Sequence, residues 1–179
     1  MDEDLDALVR RADEDRWLAS RFAASDLRGR LIAIYALSYE LAHVAETVKT
    51  PAAGDIRLAW WRDALSEILA GNRPRAHPVL SEFALAHRHT PFAGDVLQRL
   101  IDARGRDLDP HPFASLDDIA DYLDATAGAV LRLAITACGG VTSAHDAFIS
   151  KAAEAWGFAG LLRAEPVWRA RGRRLAPRD

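Results

Sequence analysis

Along the whole chain apolar residues return every three or four positions and never alternate with polar ones for long. A repeat of about 3.6 residues is what an α-helix needs to turn one face to a core, whereas a strand needs a repeat of two. The pattern predicts an all-helical chain with neither a strand meander nor a βαβ alternation. Its clearest instance is 26–48, where Leu27, Leu31, Ile34, Ser38, Leu41, Ala45 and Val48 form one seam behind a candidate cap at Asp26.

The remaining elements follow from caps and breakers. A first amphipathic piece covers about 3–23. Thr50-Pro51, a cap followed by proline at the first helical position, opens a helix carrying Leu58, Trp61, Leu65 and Ile68, and Gly71-Asn72-Arg73-Pro74 ends it. Another helix runs from Pro78 to about His87. Thr90-Pro91 then repeats the cap signal ahead of Phe92, Val96, Leu97, Leu100 and Ile101. The segment GRDLDPHPFAS (105–115) reads as a loop. Ser115 with Asp118 is a capping-box-like start for a helix through Ile119, Tyr122, Thr126, Val130 and Leu133, stopped by Gly139-Gly140. A last helix spans about 144–163 and meets Pro166, leaving 164–179 as a flexible basic tail. No repeat or low-complexity linker interrupts the chain, and 179 residues, half of them hydrophobic, suffice for one core, so 1–179 is expected to be a single domain.

A net charge of −3 is too weak to announce a nucleic-acid surface. Charge is uneven, however: 163–178 holds six arginines against Glu165. Such a stretch suits acidic lipid or a partner, although solvated arginines are the commoner explanation. The single cysteine, Cys138, excludes an intramolecular disulfide and a multi-cysteine metal site, and its apolar neighbours place it in the core. No apolar run is long enough for a membrane span, and the acidic N-terminus is unlike a secretory signal, which points to a cytoplasmic protein.

Candidate chemistry concentrates on two helices. Glu40, His43 and Glu46 stand three apart within YALSYELAHVAETV (35–48) and share one broad flank. Glu40-x-x-His43 is the carboxylate and imidazole spacing of di-iron bundles, but no second Glu-x-x-His helix exists here, and Glu67 and Glu154 are lone carboxylates. A polar flank against a neighbouring helix or a wet cavity is the plainer account. Asp117, Asp118 and Asp121, with Asp124 beyond, spell the DDxxD pattern that clusters carboxylates for Mg²⁺ and a diphosphate. They also fall in the first turns after Ser115, where the helix macrodipole favours negative charge by about 0.3–1 kcal/mol each. Capping explains them without a ligand. His87 and His89 lie near a helix end, while His77 and His111 precede prolines in turns. No nucleophile elbow, phosphate loop or CxxC occurs.

Five ordered segments, DRWLASRFAASDLRGRLIAIYAL (15–37), IRLAWWRDAL (56–65), HPVL (77–80), LIDARGRDLDPHPFASLDDIADYLDATAGAV (100–130) and LLRAEPVWRARGRRLAP (161–177), resemble the squalene/phytoene synthase family. Tyr35-Ala36, the WWRDAL helix and Tyr122 followed by Ala127-Gly128 are the most specific pieces. The resemblance implies an isoprenoid synthase-like helical bundle around a central cavity. Family members generally continue with several more helices beyond 174–177, so this chain is expected to lack the C-terminal helices. An apolar wall exposed in that way would seek a protein partner or a second copy.

Active members of the family resemble one another in two aspartate-rich motifs on facing helices, which hold Mg²⁺ against the diphosphates of two prenyl substrates. A diphosphate leaving into an apolar cavity needs metal held by hard oxygen ligands. Where the first motif would place its outer aspartates this chain has Ala42 and Glu46, with His43 beside the former, and the second falls on Ala164 and Trp168. One carboxylate and an imidazole suit Mg²⁺ poorly. The resemblance therefore implies a scaffold with no cofactor and no resident metal. YELAHVAETV and LLRAEPVW are similar to the branch that includes the mitochondrial respiratory complex I assembly factor. That branch implies complex I subunits as partners and peripheral contact with the inner membrane. The alternative keeps prenyl transfer or isoprenoid binding, with Mg²⁺ as cofactor and Tyr35, Asp102, Asp107 and Tyr122 as substrate contacts. Glu46 and the acids of 117–124 would then replace the lost ligands.

Overall fold

The structure, a computed structural model, describes residues 4–140 and 142–170. Among them every regular element is helical: α1 (Leu5–Ala12), α2 (Glu14–Arg21), α3 (Ser25–Thr47), α4 (Pro51–Leu69), α5 (Pro78–His89), α6 (Gly94–Arg104), α7 (Leu116–Leu123), α8 (Ala129–Ala137) and α9 (Asp146–Ala170). Short 3-10 turns cover Gly105–Leu108 and Ser143–His145, and a π turn, Asp124–Gly128, joins α7 to α8.

α3 is the axis of the bundle. Its seam buries Leu31, Ile34, Leu37, Leu41 and Val44, and α1, α2, α4, α5 and α8 pack around it. Trp61 from α4 and Phe83 from α5, 1% and 0% exposed, fill the same core; burying a large apolar side chain contributes about 1.5–3 kcal/mol. A smaller cluster of Phe113, Ile119 and Leu123, with Tyr122, Phe158 and Leu161 against it, fastens α7 to α9.

Several caps behave as the sequence predicts. The Thr50 hydroxyl accepts from the Ala53 amide at 3.3 Å with Pro51 in the first turn, and the Ser115 hydroxyl accepts from the Asp118 amide at 3.0 Å. Gly71 and Gly139, at φ 80° and 81°, take the left-handed conformation that ends α4 and α8.

Others differ for identifiable reasons. The first amphipathic piece is two helices because Asp13 ends α1 and caps α2, its carboxylate accepting from the Arg16 amide at 3.2 Å. Asp26 is not a cap: Ala24 holds that position, and Asp26 lies in the first turn. Thr90 ends α5 instead of starting α6, because its hydroxyl accepts from Arg30 of α3 at 3.0 Å, and α6 begins only at Gly94. α9 continues through Pro166 to Ala170, so 164–170 belong to a helix and not to a tail. Pro166 has no amide to give to the Leu162 carbonyl, yet the helix runs on past it. The rest of the basic segment lies outside the described residues. Cys138, expected in the core, is exposed at the end of α8, where the chain leaves the seam. Among the described residues no helix is long and apolar enough to cross a membrane.

Candidate functional site

The C-terminal half of α3 carries the polar flank. His43 Nδ1 lies 2.9 Å from Glu46 Oε2, and the imidazole stacks on Tyr39 with ring centroids 5.2 Å apart. Glu40 lies half-buried one turn earlier. Three-residue steps rotate about 60° short of a full turn, so Glu40 and Glu46 diverge by about 120° around the helix. Among the described residues no three His, Cys, Asp or Glu side chains converge as a metal site would require. His43 and Glu46 therefore meet, while Glu40 points elsewhere on the helix.

The aspartates of 117–124 divide in the same way. Asp117, Asp118 and Asp121 are exposed on the first turns of α7. Asp124 sits in the π turn and accepts from Arg99 Nη1 at 2.7 Å, Arg132 Nη2 at 3.1 Å and Ser150 Oγ at 2.8 Å. Burial works against its charge, but the bonds from Ser150 and the two arginines outweigh it and hold the carboxyl below its usual range. It is a tie between helices. Asp102 faces away from the interior, its side chain 55% exposed and bonded to Arg62 at 2.7 Å and Gln98 at 2.8 Å. It faces outward because the neighbouring Leu97, Leu100 and Ile101 direct the other side of α6 into the core.

Asp107 and Tyr122 do come together. Asp107 accepts from the Tyr122 hydroxyl at 2.7 Å and from Arg104 Nη1 at 3.1 Å, and Arg104 also donates to the Tyr122 oxygen at 2.9 Å. Burial pushes the Tyr122 phenol well above its ordinary pKa, so it remains a donor. Burial also opposes the Arg104 charge, yet Tyr122 and Asp107 hold the guanidinium protonated. Arg104 Nε is buried without a hydrogen-bond partner.

Arg104 and Tyr122 form one wall of a cleft of about 200 Å³, completed by Arg16, Ser38, Thr126 and Trp156 from four further elements. No carboxylate is among the described residues that line it. Arg16 lies 5.8 Å from the Tyr35 ring centroid and 5.7 Å from that of Trp156, both within cation–π reach. Burial raises the pKa of Tyr35, which stands behind that wall. Thr126 donates to the Tyr122 carbonyl at 2.7 Å inside the π turn. Sequence reasoning missed Arg16, Ser38, Arg104, Thr126 and Trp156, because a cleft assembled from so many elements leaves no local spacing. Only the i, i+3 spacing of Arg104 and Asp107 was a readable signal.

Residues 9–179 match the squalene/phytoene synthase family. The chain belongs to that family. A crystal structure of a dehydrosqualene synthase in complex with ligand has the same fold: TM-score 0.83 at 15% identity, over 97% of this chain and 59% of that one. Curated relatives are proteins called NADH dehydrogenase (ubiquinone) complex I, assembly factor 6. The Mus musculus protein is 27% identical over 172 residues, and those of Rattus norvegicus and Homo sapiens are 28% and 26% identical. Each alignment covers 96% of this chain but 51% of the relative, so the chain spans about half the length of the curated relatives it matches. Of the positions read as degenerate in the sequence, Ala42, Ala164 and Trp168 are half-buried, and Glu46 is exposed with its carboxylate 2.9 Å from His43 Nδ1.

Proposed function

We propose that this chain is a non-catalytic member of the squalene/phytoene synthase family, acting as a scaffold in the assembly of a respiratory NADH dehydrogenase through protein contacts. What supports the reading is that alanine and tryptophan stand at Ala42, Ala164 and Trp168, where the family resemblance places acids, with Glu46 engaged by His43. Mg²⁺ takes oxygen ligands in near-octahedral geometry and bridges to phosphate, and these side chains do not fit it. The names of the assembly-factor relatives point the same way. This reading implies a cytoplasmic chain in peripheral contact with the inner membrane, with complex I subunits as partners. The tagged chain should co-purify with subunits of the NADH dehydrogenase. Release of pyrophosphate from farnesyl or geranylgeranyl diphosphate with Mg²⁺, together with formation of squalene or phytoene, would overturn it.

A second reading, retained isoprenoid binding without turnover, draws support from the Arg16–Arg104 cleft. Two guanidinium groups beside the hydroxyls of Ser38, Tyr122 and Thr126 suit an anionic headgroup without a metal. Farnesyl diphosphate would then quench Trp156 fluorescence in the presence of EDTA, and Arg104→Met would weaken the effect. Identical titrations of the two proteins would dismiss this reading.

A further inference from the structure

The two tryptophans of the WWRDAL helix have different surroundings. Trp61 is buried in the core, whereas Trp60 turns outward and stays 37% exposed. An exposed indole is ordinarily free to change rotamer, but this one is held. The Arg75 guanidinium lies 5.4 Å from its ring centroid and is itself fixed by Glu67 at 2.8 and 3.0 Å and by the Trp60 carbonyl at 3.3 Å. The rings of Trp61, at 5.1 Å and 84°, and of His77, at 6.1 Å and 62°, meet it edge to face.

Trp60, Trp61 and His77 line a cleft of about 380 Å³ together with Ala53, Ile56 and Arg57. Ala53, Ile56 and Trp60 stand three and four apart and share the outer face of α4. Ile56 is 73% exposed, so the cleft opens along the helix into an apolar strip and does not close over a small molecule. Its polar groups are unengaged. Arg57 has no ion pair or hydrogen bond among the described residues. His77 Nδ1 is buried without a hydrogen-bond partner, a state that costs stability until a partner is supplied. No carboxylate is among the described residues that line the cleft. Its charge is therefore positive and unanswered.

These features select the occupant. Tryptophan and arginine are the side chains that most often carry the energy of a protein interface, and a rigid indole loses little entropy when it is covered. Electrostatic complementarity asks the other side for a carboxylate. An anionic membrane would be met by a cluster of basic groups, whereas this cleft offers one free arginine beside an aromatic wall.

We infer that the Trp60 cleft is a docking site for an acidic segment of a partner protein, which seats an aromatic or aliphatic side chain against Trp60 and Ile56 and sets a carboxylate against Arg57. The inference rests on the reading of a chain that works through protein contacts and names the chemistry of one such contact. A segment that binds here while no NADH dehydrogenase subunit co-purifies would leave the cleft standing and defeat only the assembly role.

The probes are blocked pentapeptides with phenylalanine between pairs of glutamates, glutamines or lysines, titrated into the full chain while indole N–H signals are followed by heteronuclear NMR. The glutamate peptide should move the signals of Trp60 and Trp61, assigned with Trp60→Phe, and leave those of Trp17 and Trp156 in place. The glutamine peptide should bind more weakly and the lysine peptide most weakly. Arg57→Glu alters an exposed side chain, so far-UV circular dichroism and the melting transition should be unchanged. It should weaken the glutamate peptide about tenfold by turning an exposed pair into a like-charge contact. Three equal titrations, a glutamate peptide that moves no Trp60 signal, or an Arg57→Glu chain that binds it as tightly as the wild type would overturn the inference. So would Trp60 signals that move with protein concentration alone, or only with phosphatidylglycerol vesicles, since a second copy or a lipid surface would then cover the cleft.

Discussion

The hydroxyl of Tyr122 in α7 donates to Asp107 Oδ1 at 2.7 Å, across the connection between α6 and α7. Arg104 at the end of α6 bridges both partners, so the loop 105–115 is fastened by a half-buried cation, an anion and a phenol rather than by apolar packing alone. The arrangement is asymmetric in energy. Removing a neutral partner forfeits a bond, whereas removing the carboxylate takes the counter-ion from a half-buried charge.

Asp107→Asn should therefore destabilise the protein by about 2 kcal/mol, since Arg104 and Asp107 are each 14% exposed and the amide oxygen still accepts a hydrogen bond. Tyr122→Phe should cost only about 1 kcal/mol for a lost hydrogen bond. Urea unfolding of both variants measures the difference. Equal losses would show that the Arg104 charge is compensated elsewhere.

The α5–α6 connection gives a pH-dependent prediction. The Phe92 amide donates to His87 Nδ1 at 3.0 Å, which only a neutral imidazole can accept, and burial holds the His87 pKa below its ordinary value. Because the folded pKa lies below the unfolded one, this contribution is fully present above the unfolded value, near 6.5, and is lost as pH falls through the folded value. His87→Ala should cost about 1 kcal/mol at pH 8 and progressively less toward about pH 5. Thermal melts of both proteins across that range test it. A wild-type advantage independent of pH would mean that the imidazole is not accepting this bond.

The same region shows how far the sequence can be read. Helix content was legible because the 3.6 repeat is enforced by the core, and Thr50 and Ser115 cap as expected because nothing distant competes for their hydroxyls. Thr90 follows the same local rule and breaks it, since Arg30, sixty residues earlier, takes the hydroxyl. Asp102 and Asp107 look alike in the sequence, and only the packing of α6 turns one outward and the other toward Tyr122. The π turn at Asp124–Gly128 had no helical-period signal, because the apolar seam continues through it. What escaped reading was the choice of partner for each polar group, which contacts distant in sequence decide.

Helix α9 approaches α7 so closely at Gly157 that an added Cβ would run into the Leu123 side chain. Overpacking of this kind costs about 1–3 kcal/mol. Gly157→Ala should fall in that range, whereas Gly160→Ala, which meets open space, should be neutral or gain a little from helix propensity. The pair of variants in one melting experiment decides it. A Gly157→Ala protein as stable as the wild type would show that Leu123 yields without cost.

Acid stability should depend on Asp124. Its carboxylate collects Arg99 of α6, Arg132 of α8 and Ser150 of α9, and the side chain is only 17% exposed. Those contacts hold its pKa below 3.8 in the folded state. A depressed folded pKa stabilises the protein above the unfolded value, and the stabilisation disappears as pH falls through the folded value. Asp124→Asn keeps the shape but loses the charge, so it should cost about 2 kcal/mol at neutral pH, less than a fully buried pair because water reaches Arg99. Below about pH 4 the variant and the wild type should converge, since the carboxylate is then increasingly protonated in both folded and unfolded chains. Unfolding midpoints measured from neutral pH downward give the comparison. Parallel curves that never approach one another would mean that the loss comes from altered packing of the π turn, and the assigned role of the charge would fall.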